Sequence, residues 1–222
     1  ADIVGSVDEI GAGVSGLTVG QKVVIVPGTC CGRCSACLDG DDNLCPEYHI
    51  LGEHRLGGYA EFITVPAVNA VASPDTLSAQ QLAAVPLVFQ TAWQMLVHRA
   101  HVKPGDWVLV LAAGSGVGSA AVQIAKLHGA MVIATVGSDK KMERAKALGA
   151  DHVLDHSRID WPNIVKSLTD KRGADVVFEH VGQATCKQSI LCTRRGGTIV
   201  TCGATTGYEA VTDLRHVFYR QI

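Results

Sequence analysis

Residues 107–126, WVLVLAAGSGVGSAAVQIAK, decide the fold. The run at 108–111 is continuously apolar, as a strand is when both of its faces are covered. Small residues fill 112–118 and predict a tight turn. Apolar residues then recur at Val117, Ala121, Ile124 and Leu127, the spacing of one helix face, and Gly129 supplies a left-handed stop. A strand, a tight turn and a helix in that order leave backbone N–H groups at the helix mouth, where partial positive charge holds a pyrophosphate. Gly116 and Gly118 matter because a Cβ there would hold off the phosphate or the neighbouring strand. The three slots of a strict GxGxxG fall on Ala113, Ser115 and Gly118, so the turn alone is also compatible with a Gly-rich corner that binds nothing. Residues 107–125 carry no charge and are long enough for a membrane span. Three glycines in mid-run, Gln123 and the pattern that follows argue against one.

That pattern is strict alternation. Apolar runs at 108–111, 131–135, 152–154, 175–179 and 198–201 read as strands, and 117–128, 140–148, 161–169 and 184–193 read as helices. Such βαβ repetition predicts an α/β fold with a parallel, doubly wound sheet, its ligand outside the carboxyl ends of the strands. The second of these strands runs into Gly137, where an NAD site places Asp or Glu against the ribose hydroxyls. Ser138, Lys140, Lys141 and Arg144 follow, which suits a 2′-phosphate and favours NADP(H) over NAD(H). The same lysines also read as a solvated helix face, and Asp139 as a cap.

Upstream, residues 1–72 are rich in Val, Gly and Pro, with short alternating runs at 4–7, 22–26 and 59–65 that predict a small β-barrel or sandwich. A turn at 73–75 leads to a helix over 79–85 capped by Ser78, a break at Pro86, and a second helix over 89–99. Into the β region is inserted a lobe without strand pattern, 30–46. It carries Cys31-x2-Cys34-x2-Cys37-x7-Cys45, four thiolates spaced to close a tetrahedron around Zn²⁺. Four protein ligands leave no open position, so such a zinc is structural. Rival readings are an iron–sulfur cluster, whose x3 spacing before the last cysteine is not met, and a pair of disulfides. Cys30 is left over as a half-buried thiol.

The chain has 222 residues, 47% of them hydrophobic, and a net charge of −2, so it has ample apolar content for a core and no basic surface for nucleic acid or a membrane. Eight cysteines with five between 30 and 45 point to metal rather than a disulfide framework, and no signal peptide is read, so a cytoplasmic location is expected. The chain starts on Ala1, inside an expected strand, and residues 216–222 read as the approach to a further strand. Both ends therefore predict a piece of a longer protein.

The cysteine lobe, GGYAEF at 57–62, AAGSGVGSAAVQIAK, KALGADHV at 146–153 and DVVFEHVG at 175–182 together resemble the zinc-containing alcohol dehydrogenases of the medium-chain dehydrogenase/reductase superfamily. The resemblance covers essentially the whole chain. It implies a GroES-like catalytic domain, partial, over 1–73, with the zinc lobe at 30–46. It also implies a Rossmann dinucleotide-binding domain over 74–222 with its last strand missing, and substrate between the two. Carried over residue by residue, the nicotinamide side would meet Thr91, His180, Val181, Gly182, Gly203 and Ala204. The pyrophosphate would lie over Ser115, Gly116, Val117 and Gly118, and the adenosine ribose at Gly137, Ser138 and Lys141. Cys31, Cys34, Cys37 and Cys45 match the structural zinc ligands. The family's catalytic zinc does not carry over, because Ala1 takes a His slot and Leu87 the slot of a Cys or Asp ligand. Relocated ligands could come from His49, Glu53 and His54.

The resemblance implies an oxidoreductase that moves a hydride between NAD(P)(H) and a small alcohol, aldehyde or ketone. Without a catalytic metal, charge on the substrate oxygen falls to side chains, and Thr91, His54 and Asp2 are the candidates. An NADPH-dependent quinone or enone reductase is the alternative, and a cofactor-binding protein without turnover the third reading. The expected partners are a small-molecule substrate and further copies of the chain, as a dimer or tetramer.

Overall fold

A computed structural model describes residues 1–222. The elements in chain order are β1 Ile3–Ser6, β2 Lys22–Ile25, β3 Gly28–Thr29, α1 Ser35–Leu38, β4 His49–Ile50, β5 Ala70–Ala72, α2 Ala79–Ala83 and α3 Pro86–Trp93. They continue with β6 Trp107–Val110, α4 Gly116–Leu127, β7 Met131–Val136, α5 Asp139–Ala147, β8 His152–Asp155, α6 Trp161–Leu168, β9 Ala174–Glu179, α7 Cys186–Cys192, β10 Thr193–Thr201 and α8 Leu214–Phe218. Two compact units result, Ala1–Val88 and Phe89–Ile222.

In the first unit β2 is the centre of a three-stranded antiparallel sheet, β1-β2-β5. Alternation along β2 turns Val23 and Ile25 inward, where they meet Leu51, Ile3, Ile63 and Val65. β3 and β4 form a separate antiparallel ribbon at the foot of the cysteine lobe. The run at 59–65, expected as a strand, is irregular. Ile63 and Val65 reach the core, but no strand pairs with the run, and Tyr59 and Phe62 stand in solvent. The first unit also extends beyond residue 73. Ser78 and Gln81 form a reciprocal capping box at the start of α2, and α2 packs on β1 and β2.

Pro86, expected to break a helix, instead begins α3. A proline in the first turn has no amide to lose. After Trp93 the helix widens into a π-helical turn over Gln94–Arg99.

The second unit is built on a five-stranded sheet in the order β10-β9-β6-β7-β8, with every pair parallel. The chain builds outward through β6, β7 and β8, then returns to the other side of β6 for β9 and β10. The reversal lies between β6 and β9, the position where such sheets open a crevice. Val108, Leu109 and Val110 are fully buried, as are all six residues of β9, which matches the continuous apolar runs. Leu109, Leu111 and Ile133 pack with Trp161 and Val165 of α6 and Cys192 of α7. Gly129 takes φ +75° just past α4, as expected of a left-handed stop.

β10 starts earlier than expected, at Thr193, with an irregularity before Thr198 where the sequence reads Arg-Arg-Gly-Gly. Residues 216–222, expected to approach a strand, include the end of α8 instead. The Asp213 carboxylate caps that helix by accepting the Arg215 amide at 3.0 Å. No helix is long and apolar enough to cross a membrane.

Candidate functional site

The cysteine lobe is short of regular structure, and its few turns place the sulfurs. Cys34 caps α1, Cys37 sits inside that single turn, and a 3-10 turn at Asp42–Leu44 delivers Cys45. The four Sγ atoms of Cys31, Cys34, Cys37 and Cys45 lie within 4.8 Å of one another. Cys31 and Cys37 are 3.9 Å apart and Cys34 and Cys37 3.5 Å. A tetrahedron with zinc–sulfur bonds of about 2.3 Å has edges of about 3.8 Å, so the set fits Zn²⁺. All eight cysteines are free thiols, which removes the disulfide reading. Backbone amides point at the sulfurs, from Cys34 to Cys31 at 3.4 Å and from Glu47 to Cys45 at 3.3 Å. Such donors favour the thiolate, and the amides of Arg33 and Cys34 bring the Cys31 thiol down to about 6. Burial pushes Cys37 the other way. Cys30 is exposed, not half-buried as expected.

The crevice is built on the turn after β6. Ala112 adopts φ +46°, and its amide and the next are tied to β7: Ala112 N–H to Thr135 Oγ1 at 3.2 Å and Ala113 N–H to the Thr135 carbonyl at 2.9 Å. Ser115 caps α4, its hydroxyl accepting the Gly118 amide at 3.0 Å and its carbonyl the Ser119 amide at 2.9 Å. A Cβ on Gly118 would stand 2.6 Å from the Ala112 carbonyl oxygen, so only glycine lets helix and turn close this tightly. With the Ser115, Gly118 and Ser119 amides engaged, those of Gly116 and Val117 are left at the helix mouth to meet an anion.

The loop after β9 forms the facing wall. His180 turns its ring inward, with Nε2 donating to the Leu111 carbonyl at 3.0 Å and lying 3.4 Å from Ser115 Oγ. Burial lowers its pKa, which keeps the imidazole neutral. His180 therefore braces the turn, and its carbonyl accepts the Thr205 amide at 3.4 Å. Glu179, which the sequence reading missed, is a buried carboxylate that accepts the amides of Val181 at 2.6 Å and Gly182 at 3.1 Å and the hydroxyls of Thr185 and Ser189. Gly182, at φ +90°, lies against Ala204, where a Cβ would meet Ala204 Cα at 2.7 Å. The expected contacts Val181, Gly182, Gly203 and Ala204 thus form one pair of loops.

Two cavities open at the carboxyl edge of the sheet. One, of about 310 Å³, is lined by Leu111, Thr135, His156, Trp161, Val181 and Thr185. The other, of about 270 Å³, is lined by Ser115, Val136, Gly137, Lys141 and His156. Ser115, Gly137 and Lys141 therefore line one cavity, with the Lys141 stem packed on Gly114. His156 and Trp161 were missed, because neither belongs to a motif; only their position after β8 places them. Ser138, ahead of α5, makes no side-chain cap.

The residues expected to act on substrate come from both units. Thr91 is half-buried in α3 of the second unit. Asp2 and His54 are exposed in the first, where His54 Nδ1 accepts the Ile50 amide at 3.1 Å and its ring meets His49 edge-on. His49, Glu53 and His54 do not converge three ligand atoms; the cysteines do.

A phosphate-ready crevice on a parallel sheet and a four-thiol lobe on a small β unit, carried in one chain, define the medium-chain class of Rossmann-fold proteins. Residues 1–75 match the alcohol dehydrogenase GroES-like domain, and residues 116–222 match the zinc-binding dehydrogenase domain. A crystal structure of an NAD-dependent alcohol dehydrogenase is 54% identical, with a TM-score of 0.95 over 98% of this chain and 64% of that one. An alcohol dehydrogenase of Geobacillus stearothermophilus is 37% identical over 90% of this chain and 59% of its own length. A crotonyl-CoA reductase of Streptomyces avermitilis is 35% identical over 98% of this chain and 53% of its own. The chain belongs to the zinc-type alcohol dehydrogenase family of the medium-chain dehydrogenase/reductase superfamily. It spans between half and two thirds of the length of these relatives.

Proposed function

We propose that this chain works in an oxidoreductase that moves a hydride between NAD(P)(H) and a small alcohol, aldehyde or ketone. The observation that carries the reading is the pair of free amides, Gly116 and Val117, at the mouth of α4, next to Ser115, which lines one of the two cavities at the carboxyl edge of the sheet. The nicotinamide, when bound, supplies the hydride chemistry. The chain's own residues bind and orient. Ser115–Gly118 receive the pyrophosphate. Glu179 locks Val181 and Gly182, whose backbone with Gly203 and Ala204 lines the nicotinamide side. Gly137, Ser138 and Lys141 meet the adenosine ribose. Gly137 in place of an acid, with Lys141 in the same cavity, favours NADP(H) over NAD(H).

Cys31, Cys34, Cys37 and Cys45 hold one zinc that braces their lobe, and four thiolates leave no position for substrate. Leu87 stands where the family has a ligand, so charge on the substrate oxygen is assigned to Thr91, His54 and Asp2. The protein is expected to act in the cytoplasm as a dimer or tetramer. A second reading, reduction of an enone or quinone, is favoured by the 35% identical crotonyl-CoA reductase, since hydride addition to a conjugated carbon suits a site without Lewis-acid help.

The test is a titration of the purified protein with NADPH and NADH followed by fluorescence, then turnover with panels of aldehydes, alcohols, enones and quinones. Turnover of aldehydes or alcohols supports the first reading, and turnover confined to enones or quinones the second. Binding without turnover leaves a cofactor-binding protein. Absence of binding overturns all three.

A further inference from the structure

We propose that Cys30 is an oxidation site that works with Cys37: hydrogen peroxide joins the two as a disulfide, and the lobe gives up its zinc. The inference rests on the structural-zinc reading and goes beyond it. Cys30 follows Thr29 of β3, whose pairing with His49 of β4 anchors the chain at the foot of the lobe. The peptide that joins Cys30 to Cys31 lies against the sulfur set, because the Cys31 amide points at Cys45 Sγ from 3.5 Å. Cys30 is therefore held beside the four ligand thiols without being one of them. Its thiol is one of the neighbours that hydrogen-bond Cys37.

The five sulfurs differ in what protects them. Cys45 is buried, and Cys31, Cys34 and Cys37 are half-buried and shielded further by the metal they would hold. Cys30 is exposed and has no place in the tetrahedron, so it is the thiol that a peroxide meets first. Attack of the Cys30 sulfur on one peroxide oxygen breaks the O–O bond and leaves a sulfenic acid, and the departing hydroxide takes the thiol proton and becomes water. The Cys37 thiolate then attacks the Cys30 sulfur. The S–S bond forms, the S–O bond breaks, and the second hydroxide takes a proton from solvent. Two thiols lose two electrons in all, and one peroxide is reduced to two waters. Three thiolates then remain of a four-ligand site. The lobe has little else to hold it, since α1 is a single turn with no buried residue, so losing one ligand frees the metal.

The experiment treats the zinc-loaded chain with graded hydrogen peroxide, follows free zinc with a chromophoric chelator and maps disulfides by tandem mass spectrometry of alkylated peptides. Cleavage after Arg33 separates Cys30 and Cys31 from Cys34 and Cys37. Wild type is expected to release its zinc in step with a disulfide between Cys30 and Cys37, and to rebind zinc after dithiothreitol. Cys30→Ser should carry the same zinc before oxidation and hold it through a peroxide dose that empties wild type. Cys202→Ser removes the other exposed thiol and should release zinc as wild type does. A merely structural Cys30 would change the starting zinc content and not the response to peroxide. Zinc loss from Cys30→Ser at the wild-type rate, or a disulfide that leaves out Cys30 or Cys37, overturns the assignment and leaves the structural zinc standing. If the purified chain carries no zinc, the zinc reading falls and the assignment falls with it.

Discussion

Thr135 receives the Ala112 amide on its side-chain oxygen and the Ala113 amide on its carbonyl, so a single buried residue of β7 holds the turn that ends β6. The turn needs holding, because Ala112 sits at φ +46°, a conformation an L-residue with a Cβ adopts at a cost of about 1–2 kcal/mol. Thr135→Val should leave the Ala112 amide without an acceptor and destabilise the chain by about 1–3 kcal/mol. It should also weaken NADPH binding, since the Gly116 and Val117 amides are aimed from that turn. Ala112→Gly removes the strain, and a gain of about 1 kcal/mol is expected in urea denaturation. A loss on Ala112→Gly would show that the alanine methyl packs better than its backbone suffers.

Much of the second unit was legible because its signals are local and agree. An apolar run, a small-residue turn and a 3.6-residue repeat all demand the same βα corner, and Gly118 is visible as a close-approach glycine from its place in that pattern. The cysteine spacing was legible for the same reason, since short loops leave the sulfurs few places to go. What the sequence hid depends on who sits beside whom. Tyr59–Val65 alternates like a strand yet finds no ladder partner. Pro86 looks like a breaker until it is known to be the first helical residue. Glu179 reads as the polar end of a strand, and only the folded loop shows four donors closing on it. His156 lies outside every motif and is placed by the register of β8 against β7.

At the opposite end of the sheet, Asp175 ties three elements together. It accepts from Arg172 at 2.8 Å, from the Trp107 amide at 2.8 Å and from Arg194. Burial pushes its carboxyl up, but these donors outweigh burial and hold it at about 2, below the 3.8 of an unperturbed aspartate. A carboxyl depressed in the folded state binds its proton more readily when unfolded. The stabilisation is therefore complete above about pH 5 and lost as pH falls from about 4 towards 2, an amount on the order of 2 kcal/mol. Urea midpoints measured from pH 6 down to pH 2.5 should show this decline, and Asp175→Asn should flatten that part of the curve. An unchanged slope in the variant would assign the acid sensitivity to other carboxylates.

The lobe predicts a stoichiometry. Metal analysis should return about one zinc per chain, removed together with lobe order by a strong chelator and absent from Cys45→Ser. Cys30→Ser should keep the metal, because its exposed thiol lies outside the four-sulfur set. Two zincs per chain would place a second metal elsewhere and restore Lewis-acid chemistry to the proposed reaction.

Glu179 gives a prediction that separates the crevice wall from the sheet beneath it. Its carboxylate is the shared acceptor for the Val181 and Gly182 amides and for the Thr185 and Ser189 hydroxyls. Glu179→Ala strands all four donors at a site only 4% exposed, at a cost of about 3 kcal/mol or more. Glu179→Gln keeps the volume and one acceptor oxygen but points an NH₂ at donors, so a smaller loss is expected. In both variants NADPH affinity should fall further than 5′-AMP affinity, because in the proposed reading the loosened loop borders the nicotinamide and the pyrophosphate meets the mouth of α4, which other residues build. Calorimetric titrations with the two ligands read the difference. Equal losses for both would mean that Glu179 supports the whole sheet edge and does not position the loop.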